Sequence, residues 1–428
     1  MVDTGEDRAI MLDAEHDPAL RREEFLIPPA IGGAFPLTAY LAGNSLGLQP
    51  RATRAELMAD LDAWEQYAVH GHLEADRPWL PYHEEMRDPA ARLVGALPRE
   101  VVIMNSLTVN LHLLLATFYR PTAVRHRIVI EDRAFSSDSY AVRSHAALRG
   151  HDPDTAVLRL RPRPGEDVLR TEDVIETLHK HAHSIATVMI GGVNYLTGEV
   201  MDMPTITAAG HEIGATVGWD LAHAAGNIPL HLHDWDVDFA AWCTYKYLNS
   251  GPGAVGGAFV HERHLGDPRL HRLEGWWSTN PTTRFEMRPE SEPQASADAW
   301  SLSNPPIFAM GPVRTSLAIF DSVGMPALRE RSLRLTGYLR ELLETVAERS
   351  SITLVTPADD DRHAAQISVR IVEDADAVTE RLSDNWGVVV DERRPDIIRI
   401  APAPLYCTFH DCWRAADALS WELTGEGI

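Results

Sequence analysis

Cysteine is scarce in this chain, which has only Cys243, Cys407 and Cys412. Three thiols make no disulfide framework, and no pair has the spacing of a zinc site. Positive charge is short as well. Lys and Arg number 39 against 62 Asp and Glu, a net charge of -23 that argues against nucleic acid or an anionic membrane surface as a main partner. No apolar run approaches membrane-spanning length, and the acidic stretch 1–7 has no apolar signal core. Internal repeats and low-complexity tracts are missing too. Together these absences predict a cytoplasmic protein. What is present is ordinary: 428 residues, 45% apolar and 24% charged, suit a soluble globular chain with room for two cores.

From about residue 100 to 262, short β-rich runs alternate with helical patterns. Strands are predicted at 101–104, 127–131, 156–160, 186–191, 215–220, 239–244 and 254–261, with helices at 107–119, 138–149, 171–182 and 204–213. Strands this apolar are buried on both faces, so the pattern predicts an α/β fold with a mostly parallel central sheet. No helix separates the last two strands, and the chain is expected to change direction there. After the turn Ser303-Asn304-Pro305-Pro306 a smaller α+β domain begins. It has a long helix at 326–349, strands at 352–355, 366–371, 388–391 and 397–400, and helices near 375–385 and from 409. The expected division is an N-terminal arm and entry segment (1–60), a large cofactor-binding domain (61–310) and a small domain (311–428).

Lys246 is the most informative residue. Trp242-Cys243-Thr244-Tyr245-Lys246-Tyr247 places an amine among aromatics at a strand end, and Asp220-Leu221-Ala222-His223 ends an earlier strand. Pyridoxal 5'-phosphate needs such a pair: the Lys forms a Schiff base, and the Asp keeps the pyridine nitrogen protonated. Asn105–Asn110 follows a strand and opens an apolar helix, so it is either an ordinary N-cap or a phosphate site helped by Ser106 or Thr108. One strand later, Phe135 is placed to stack on a flat ring while Ser136, Ser137 or Asp138 caps the next helix. Strand ends converging on one crevice mark a ligand site in α/β sheets.

Other signals weigh less. Gly251–Gly256 matches G-x-G-x-x-G formally, but a strand follows where a dinucleotide site requires a helix. His179/His181/His183 and His231/His233 with Asp234 lack zincin spacing and read as solvated histidines, so no metal is expected. Arg399 interrupts an apolar strand and needs an anionic partner, either a substrate α-carboxylate or a structural acid.

These residues, with Tyr40–Gly47, His233–Trp235, Gly275-Trp276-Trp277, Ser303–Pro306 and Arg399–Tyr406, resemble kynureninase from about residue 40 to the C-terminus. The resemblance implies fold-type I, class V aminotransferase-like architecture, and a homodimer with active sites at the subunit interface. The implied reaction is hydrolytic Cβ–Cγ cleavage of L-kynurenine or 3-hydroxy-L-kynurenine to the anthranilate and L-alanine. By the same resemblance Lys246 holds the cofactor and shuttles protons, Asp220 pairs with the pyridine nitrogen, and His223 lies close by. Leu107 and Thr108 bind phosphate with help from Tyr245, also a candidate proton donor. Phe135 stacks on the ring and Asp138 caps that region. Trp276 and Asn304 reach the site from the partner subunit, Arg399 takes the substrate carboxylate, and His72 with Ser303 meets the aryl ring.

The chain departs from the family at Ser136 (usually Pro), at Gly191 (often Ser) and at Thr279, where animal members carry a His facing the aryl ring. The cofactor residues are intact, and the Thr279 loop points to altered ring specificity. A ring-substituted kynurenine in bacterial secondary metabolism and an aminotransferase reaction remain alternatives. A desulfurase is disfavoured, because no cysteine falls in a long mobile loop.

Overall fold

Strands without a polar face have to be covered on both sides, and the central sheet is. The computed structural model describes residues 4–428. Helix α1 (Glu6–Asp13) and strand β1 (Ala39–Tyr40) come first, followed by α2 (Thr53–Tyr67) and α3 (Arg87–Val94). The alternating region then runs β2 (Val101–Ile103), α4 (Leu107–Phe118), β3 (Arg127–Glu131), α5 (Ser136–Leu148), α6 (Pro153–Ala156) and β4 (Val157–Leu160). It continues with α7 (Thr171–Lys180), β5 (Ile185–Gly191), α8 (Met203–Glu212), β6 (Thr216–Asp220), β7 (Phe239–Trp242) and β8 (Gly257–Val260).

These strands form one sheet in the order β2-β8-β7-β6-β5-β3-β4. Only β8 runs against its neighbours β2 and β7. That is the change of direction expected where no helix intervenes. Two predicted strands end or begin short: 239–244 stops at Trp242, and 254–261 starts at Gly257. The residues between them belong to turns, and the turn after β7 carries Lys246.

Helices α9 (Ile307–Val323) and α10 (Met325–Arg349) lead into β9 (Thr353–Leu354), β10 (Ile367–Arg370), α11 (Ala375–Trp386), β11 (Val388–Val389), β12 (Asp391–Arg393), β13 (Ile397–Ile400) and α12 (Phe409–Thr424). Four of the strands make an antiparallel sheet, β12-β13-β10-β9. The N-terminal segment is docked against this part rather than projecting. Arg8 pairs with Glu341 at 2.8 Å, His410 with Glu6 at 2.8 Å, and β1 pairs in parallel with β11.

Helices α2, α3 and α9 have no counterpart in the sequence reading. In α9 the reason is chemical. Pro306 sits at its N-cap, closing a Pro-rich turn, and Pro312 lies inside it, where proline is a helix-breaking signal. Packing overrides it: Val313, Leu317 and Phe320 of α9 are buried in the main core.

On the β2 side of the sheet, Phe118 stacks on Phe239 at 4.9 Å, and Trp300 lies parallel to Phe118 at 6.2 Å. On the other face Trp219 is fully buried and donates its indole N–H to Thr207 at 3.1 Å. Leu339 of α10 is fully buried, 0% exposed, in the core shared by α10 and the small sheet. Leu339→Ala is expected to cost about 2–5 kcal/mol by leaving a cavity. Thermal unfolding of the variant reads this as a lower Tm.

Candidate active site

One cavity opens at the carboxyl ends of the parallel strands. Five strand ends supply its walls: Ser106–Thr108 after β2, Glu131 to Asp138 after β3, Gly191 to Tyr195 after β5, Asp220–His223 after β6, and Tyr245-Lys246 after β7. Of the candidates drawn from sequence, Leu107, Thr108, Phe135, Asp138, Asp220, His223, Tyr245 and Lys246 are brought together here.

The turn that carries Lys246 is held from several sides. Thr244 donates its hydroxyl to the Val255 carbonyl at 2.7 Å, and the Ser250 N–H returns to the Thr244 carbonyl at 2.9 Å. Gly47 of the N-terminal segment donates its N–H to the Tyr245 carbonyl at 2.8 Å. A Cβ on Gly47 would sit 2.3 Å from both the Lys246 carbonyl oxygen and the Asn249 side-chain oxygen, so only glycine permits this crossing.

Lys246 is one of two lysines in the chain, the other being Lys180. Its Nζ lies 2.8 Å from His223 Nε2 and 5.8 Å from the centroid of the Phe135 ring. Burial lowers the Lys246 pKa, although Cys243 and Asp220 oppose the shift. His223 is pushed well below the usual imidazole range by burial, then by Lys246, Arg399 and Arg393. The imidazole is therefore neutral, and its Nε2 accepts a hydrogen bond from the amine. Its Nδ1 is buried without a hydrogen-bond partner.

Asp220 is buried and accepts the Ala222 N–H at 2.7 Å. Burial raises its pKa, while that N–H, a hydrogen bond from Asp138 and the charge of Lys246 pull it down. Asp138 is raised well above the carboxylate range by burial and by Asp220. Two carboxyl groups in contact share one proton; Asp138 holds it and Asp220 carries the charge. Capping is thus not what Asp138 does. Phe135 is the N-cap of α5 and no side chain caps that end, so Ser136 and Ser137 do not cap it either. The Ser137 hydroxyl instead meets the Thr108 hydroxyl at 2.8 Å across the cavity wall. Ser106 is the N-cap residue of α4, as the alternative reading had it, but its hydroxyl makes no capping hydrogen bond. Burial, with a hydrogen bond to Cys243, raises the Tyr245 phenol and keeps it protonated.

Arg399 has its structural acid. Its Nε donates to Asp391 Oδ1 at 2.9 Å, Nη2 reaches the same oxygen, and Nη1 donates to the Tyr195 carbonyl at 2.7 Å. The side chain is 0% exposed.

The remaining candidates do not line this cavity within one chain. Trp276 and Thr279 border a separate groove with Arg284 and Met287. His72 packs edge-on against Trp79 at 5.3 Å, while Ser303 and Asn304 are exposed before α9. Three wall residues, Glu131, Val193 and Tyr195, went unread in the sequence. Glu131 looked like a strand-end charge, and Tyr195, edge-on to Phe135 at 5.3 Å, lay in a loop without a motif.

At the opposite end of the sheet, Glu100, His233 and His261 cluster with ligand atoms within 4.8 Å of one another. The carboxylate already accepts three hydrogen bonds: Oε1 takes the His233 ring N–H at 2.9 Å and the Glu262 N–H at 2.7 Å, and Oε2 takes the Leu97 N–H at 2.8 Å. His233 is thus half-buried against Glu100 rather than solvated.

Pyridoxal 5'-phosphate fits the main cavity. An amine, a buried carboxylate and an aromatic face are matched to its aldehyde, ring nitrogen and ring, and the start of α4 with the Thr108 and Ser137 hydroxyls suits a phosphate. Three buried polar atoms there have no hydrogen-bond partner: His223 Nδ1, Asp138 Oδ1 and Glu131 Oε2. Orphaned polar atoms of this kind mark a place where a ligand belongs.

Comparison with known proteins agrees. Cysteine desulfurase CsdA from Escherichia coli shares the fold, with a TM-score of 0.73 at 17% identity over 95% of this chain and 99% of that one. So does a mutant of C-DES with glycine covalently linked to its PLP cofactor, with a TM-score of 0.73 at 16% identity over 90% and 96% of the two chains. This is the fold-type I architecture, and at such identities the likeness extends to the fold alone. All three cysteines of this chain are buried. Residues 328–419 match the kynureninase C-terminal domain. Kynureninase from Salinispora tropica is 66% identical over 94% of both chains, and kynureninase from Koribacter versatilis 50% identical over 96% of both. Kynureninase from Nematostella vectensis is 46% identical over 89% of this chain and 84% of its own. With likeness that runs nearly end to end and a cavity furnished for pyridoxal phosphate, the chain belongs to the kynureninase family.

Proposed function

We propose that the chain hydrolyses the Cβ–Cγ bond of L-kynurenine or 3-hydroxy-L-kynurenine, giving the corresponding anthranilate and L-alanine. The observation that carries this reading is the half-buried Lys246 amine, 2.8 Å from neutral His223 and in one cavity with charged Asp220. Bound pyridoxal phosphate supplies a ring that withdraws the electron pair freed at the substrate Cα.

The residues supply the rest. Lys246 would hold the cofactor through its amine and would supply the base that takes the α-proton; burial lowers its pKa, which favours the free amine. His223 fixes the direction of the Nζ lone pair. Asp220, ionised because Asp138 holds the shared proton, would pair with the ring nitrogen. Tyr245 keeps its phenolic proton and is the donor for the alanine carbon when the bond breaks. The water oxygen adds to the γ-carbonyl carbon, and a proton ends on Cβ. Each positioned proton-transfer group contributes ~10²–10⁴-fold. Arg399 is the carboxylate anchor. Asp391 and the Tyr195 carbonyl occupy three of its N–H groups behind the cavity wall, and the fully buried side chain must be uncovered before the free hydrogen on each Nη can meet a substrate carboxylate.

The aryl pocket needs a second copy. His72, Trp276, Thr279, Ser303 and Asn304 lie off the cavity in their own chain, and a homodimer would bring them to it from the partner. Exposed apolar side chains support such an interface: Trp64 packs on Phe308 at 5.8 Å, with Met58 and Leu61 exposed on the same helix as Trp64. A cytoplasmic location is supported by three unpaired, buried cysteines. Among the described residues no helix is long and apolar enough to cross a membrane.

A ring-substituted kynurenine is the second reading, favoured by Thr279. Its hydroxyl accepts the Glu292 N–H at 2.9 Å, so this loop offers a small side chain tied to its own backbone where an imidazole would reach a ring. L-kynurenine, 3-hydroxykynurenine and a ring-methylated analogue, assayed for anthranilate and alanine, separate these readings. One substrate is expected to dominate, and turnover of none would defeat the C–C hydrolase assignment. Lys246→Ala should abolish turnover and the visible band of the bound cofactor; near-normal activity would contradict the role of the amine. Asn304→Ala should be strongly impaired on its own. Mixed with Lys246→Ala chains it should recover about a quarter of wild-type activity, since half the dimers are mixed and each has one native site. Absence of recovery would argue against sharing of the site between subunits.

A further inference from the structure

Glu131 ends β3, and its side chain is buried, 6% exposed, on the wall of the Lys246 cavity. Its Oε1 accepts the Gly191 N–H at 3.0 Å, whereas Oε2 has no hydrogen-bond partner. Gly191 stands opposite Asp220 in the β5–β6 ladder, and the next N–H, that of Gly192, donates to the Asp220 carbonyl at 2.8 Å. Glu131 therefore grips the strand end beside Asp220. The grip is close: a Cβ on Gly191 would lie 3.0 Å from Glu131 Oε1.

The charges that face Glu131 are mostly of its own sign. Asp220 comes from β6, Asp138 from α5 and Glu199 from the loop after β5. Lys246 stands across the same cavity, and Arg159 reaches only the Glu131 carbonyl oxygen, at 3.4 Å. Acidic groups this close, out of water, cannot all be ionised together. Adding a cation changes the balance, and the protonated ring of pyridoxal phosphate is one.

We propose that Glu131 is a positioning residue for the nitrogen end of the cofactor, clamping the Asp220 strand through Gly191 and placing a second carboxylate charge behind Asp220 when the cationic ring binds. The proposal rests on the cofactor reading above. At Glu131 only a proton moves, leaving to solvent as the ring enters; condensation of the cofactor aldehyde with the Lys246 amine, which releases water, is common to wild type and variants. In the empty site burial, then the charges of Asp220 and Glu199, push the carboxyl up to about 7, against hydrogen bonds that lower it. About half of the molecules are then protonated at pH 7. A nearby cation lowers this pKa, so binding releases protons. The cofactor Kd falls as pH rises toward 7 and levels off above it.

The test compares wild type with Glu131→Gln and Glu131→Ala, each freed of cofactor and titrated with pyridoxal phosphate from pH 6 to 8. Calorimetry in two buffers of different ionisation enthalpy counts the protons released. The Gln variant keeps an oxygen for the Gly191 N–H and lacks the charge. Wild type is expected to release up to about half a proton more than Glu131→Gln at pH 7. It should bind about tenfold tighter at pH 8, converging with the variant toward pH 6, for a one-unit lowering of the Glu131 pKa. Glu131→Ala, which loses the clamp as well, should bind more weakly than Glu131→Gln at every pH. Equal proton release and parallel pH courses in wild type and Glu131→Gln would overturn the proposal while leaving the cofactor reading in place. A wild-type protein that shows no visible band with pyridoxal phosphate would remove both.

Discussion

The Lys246 amine is half-buried on a cavity wall at the end of a sheet, and much of the surrounding structure follows from keeping it there in usable form. An ammonium ion in that position is costly to desolvate, so the group gives up its proton more readily than a surface lysine does. A second cation beside it would be worse, and His223 meets that constraint by staying neutral. The carboxyl groups opposite obey the same rule with the sign reversed. Asp138 and Asp220 touch, so one proton is retained between them, and the charge is left on the residue that also accepts the Ala222 N–H. The site is a small set of buried ionisable groups whose protons are distributed by contact.

Holding that set in register falls to backbone crossings and strand ends. Gly47 brings the N-terminal segment against the Lys246 turn at a distance no other residue tolerates. The same segment runs on to the small domain, where Asn44 donates to Gln366 at 3.0 Å and β1 pairs with β11. Arg399 makes the complementary link. It stands on β13 of the small sheet, yet one of its hydrogen bonds goes to the Tyr195 carbonyl beyond β5 of the large one. The guanidinium and the Lys246 turn are thus each placed by contacts from both parts of the chain.

This division explains what the sequence discloses and what it hides. Apolar runs ending in a polar residue announce strand ends, so the central sheet and the positions of Lys246, Asp220 and the α4 start are readable from pattern alone. The direction change at β7–β8 is readable for the same reason, from a missing helix. Helix α9 is hidden because Pro312 is a local signal, while the packing that overrides it is tertiary. Glu131 is hidden differently. A glutamate closing a strand looks like a surface charge, and only the fold shows that Gly191 and Asp220 lie beside it. For Arg399 the residue alone left two partners open, and Asp391, eight positions earlier, becomes its neighbour only through the β12–β13 pairing.

The residues absent from the cavity are as informative as those present. His72, Trp276, Thr279, Ser303 and Asn304 sit on connecting segments near apolar or half-buried surface, whereas the cofactor residues sit at strand ends and helix starts. A rigid sheet edge suits a group whose attachment, charge and ring face must be fixed. Loops suit the part of a ligand that varies. The departures from the family fall accordingly: Thr279 lies on a loop, in the groove it shares with Trp276. Gly191 lies at a strand end, where the loss of a side chain coincides with the close approach of Glu131. In the cofactor cavity the missing side chain makes room for Glu131, and in the loop the Thr279 hydroxyl is tied to the Glu292 N–H.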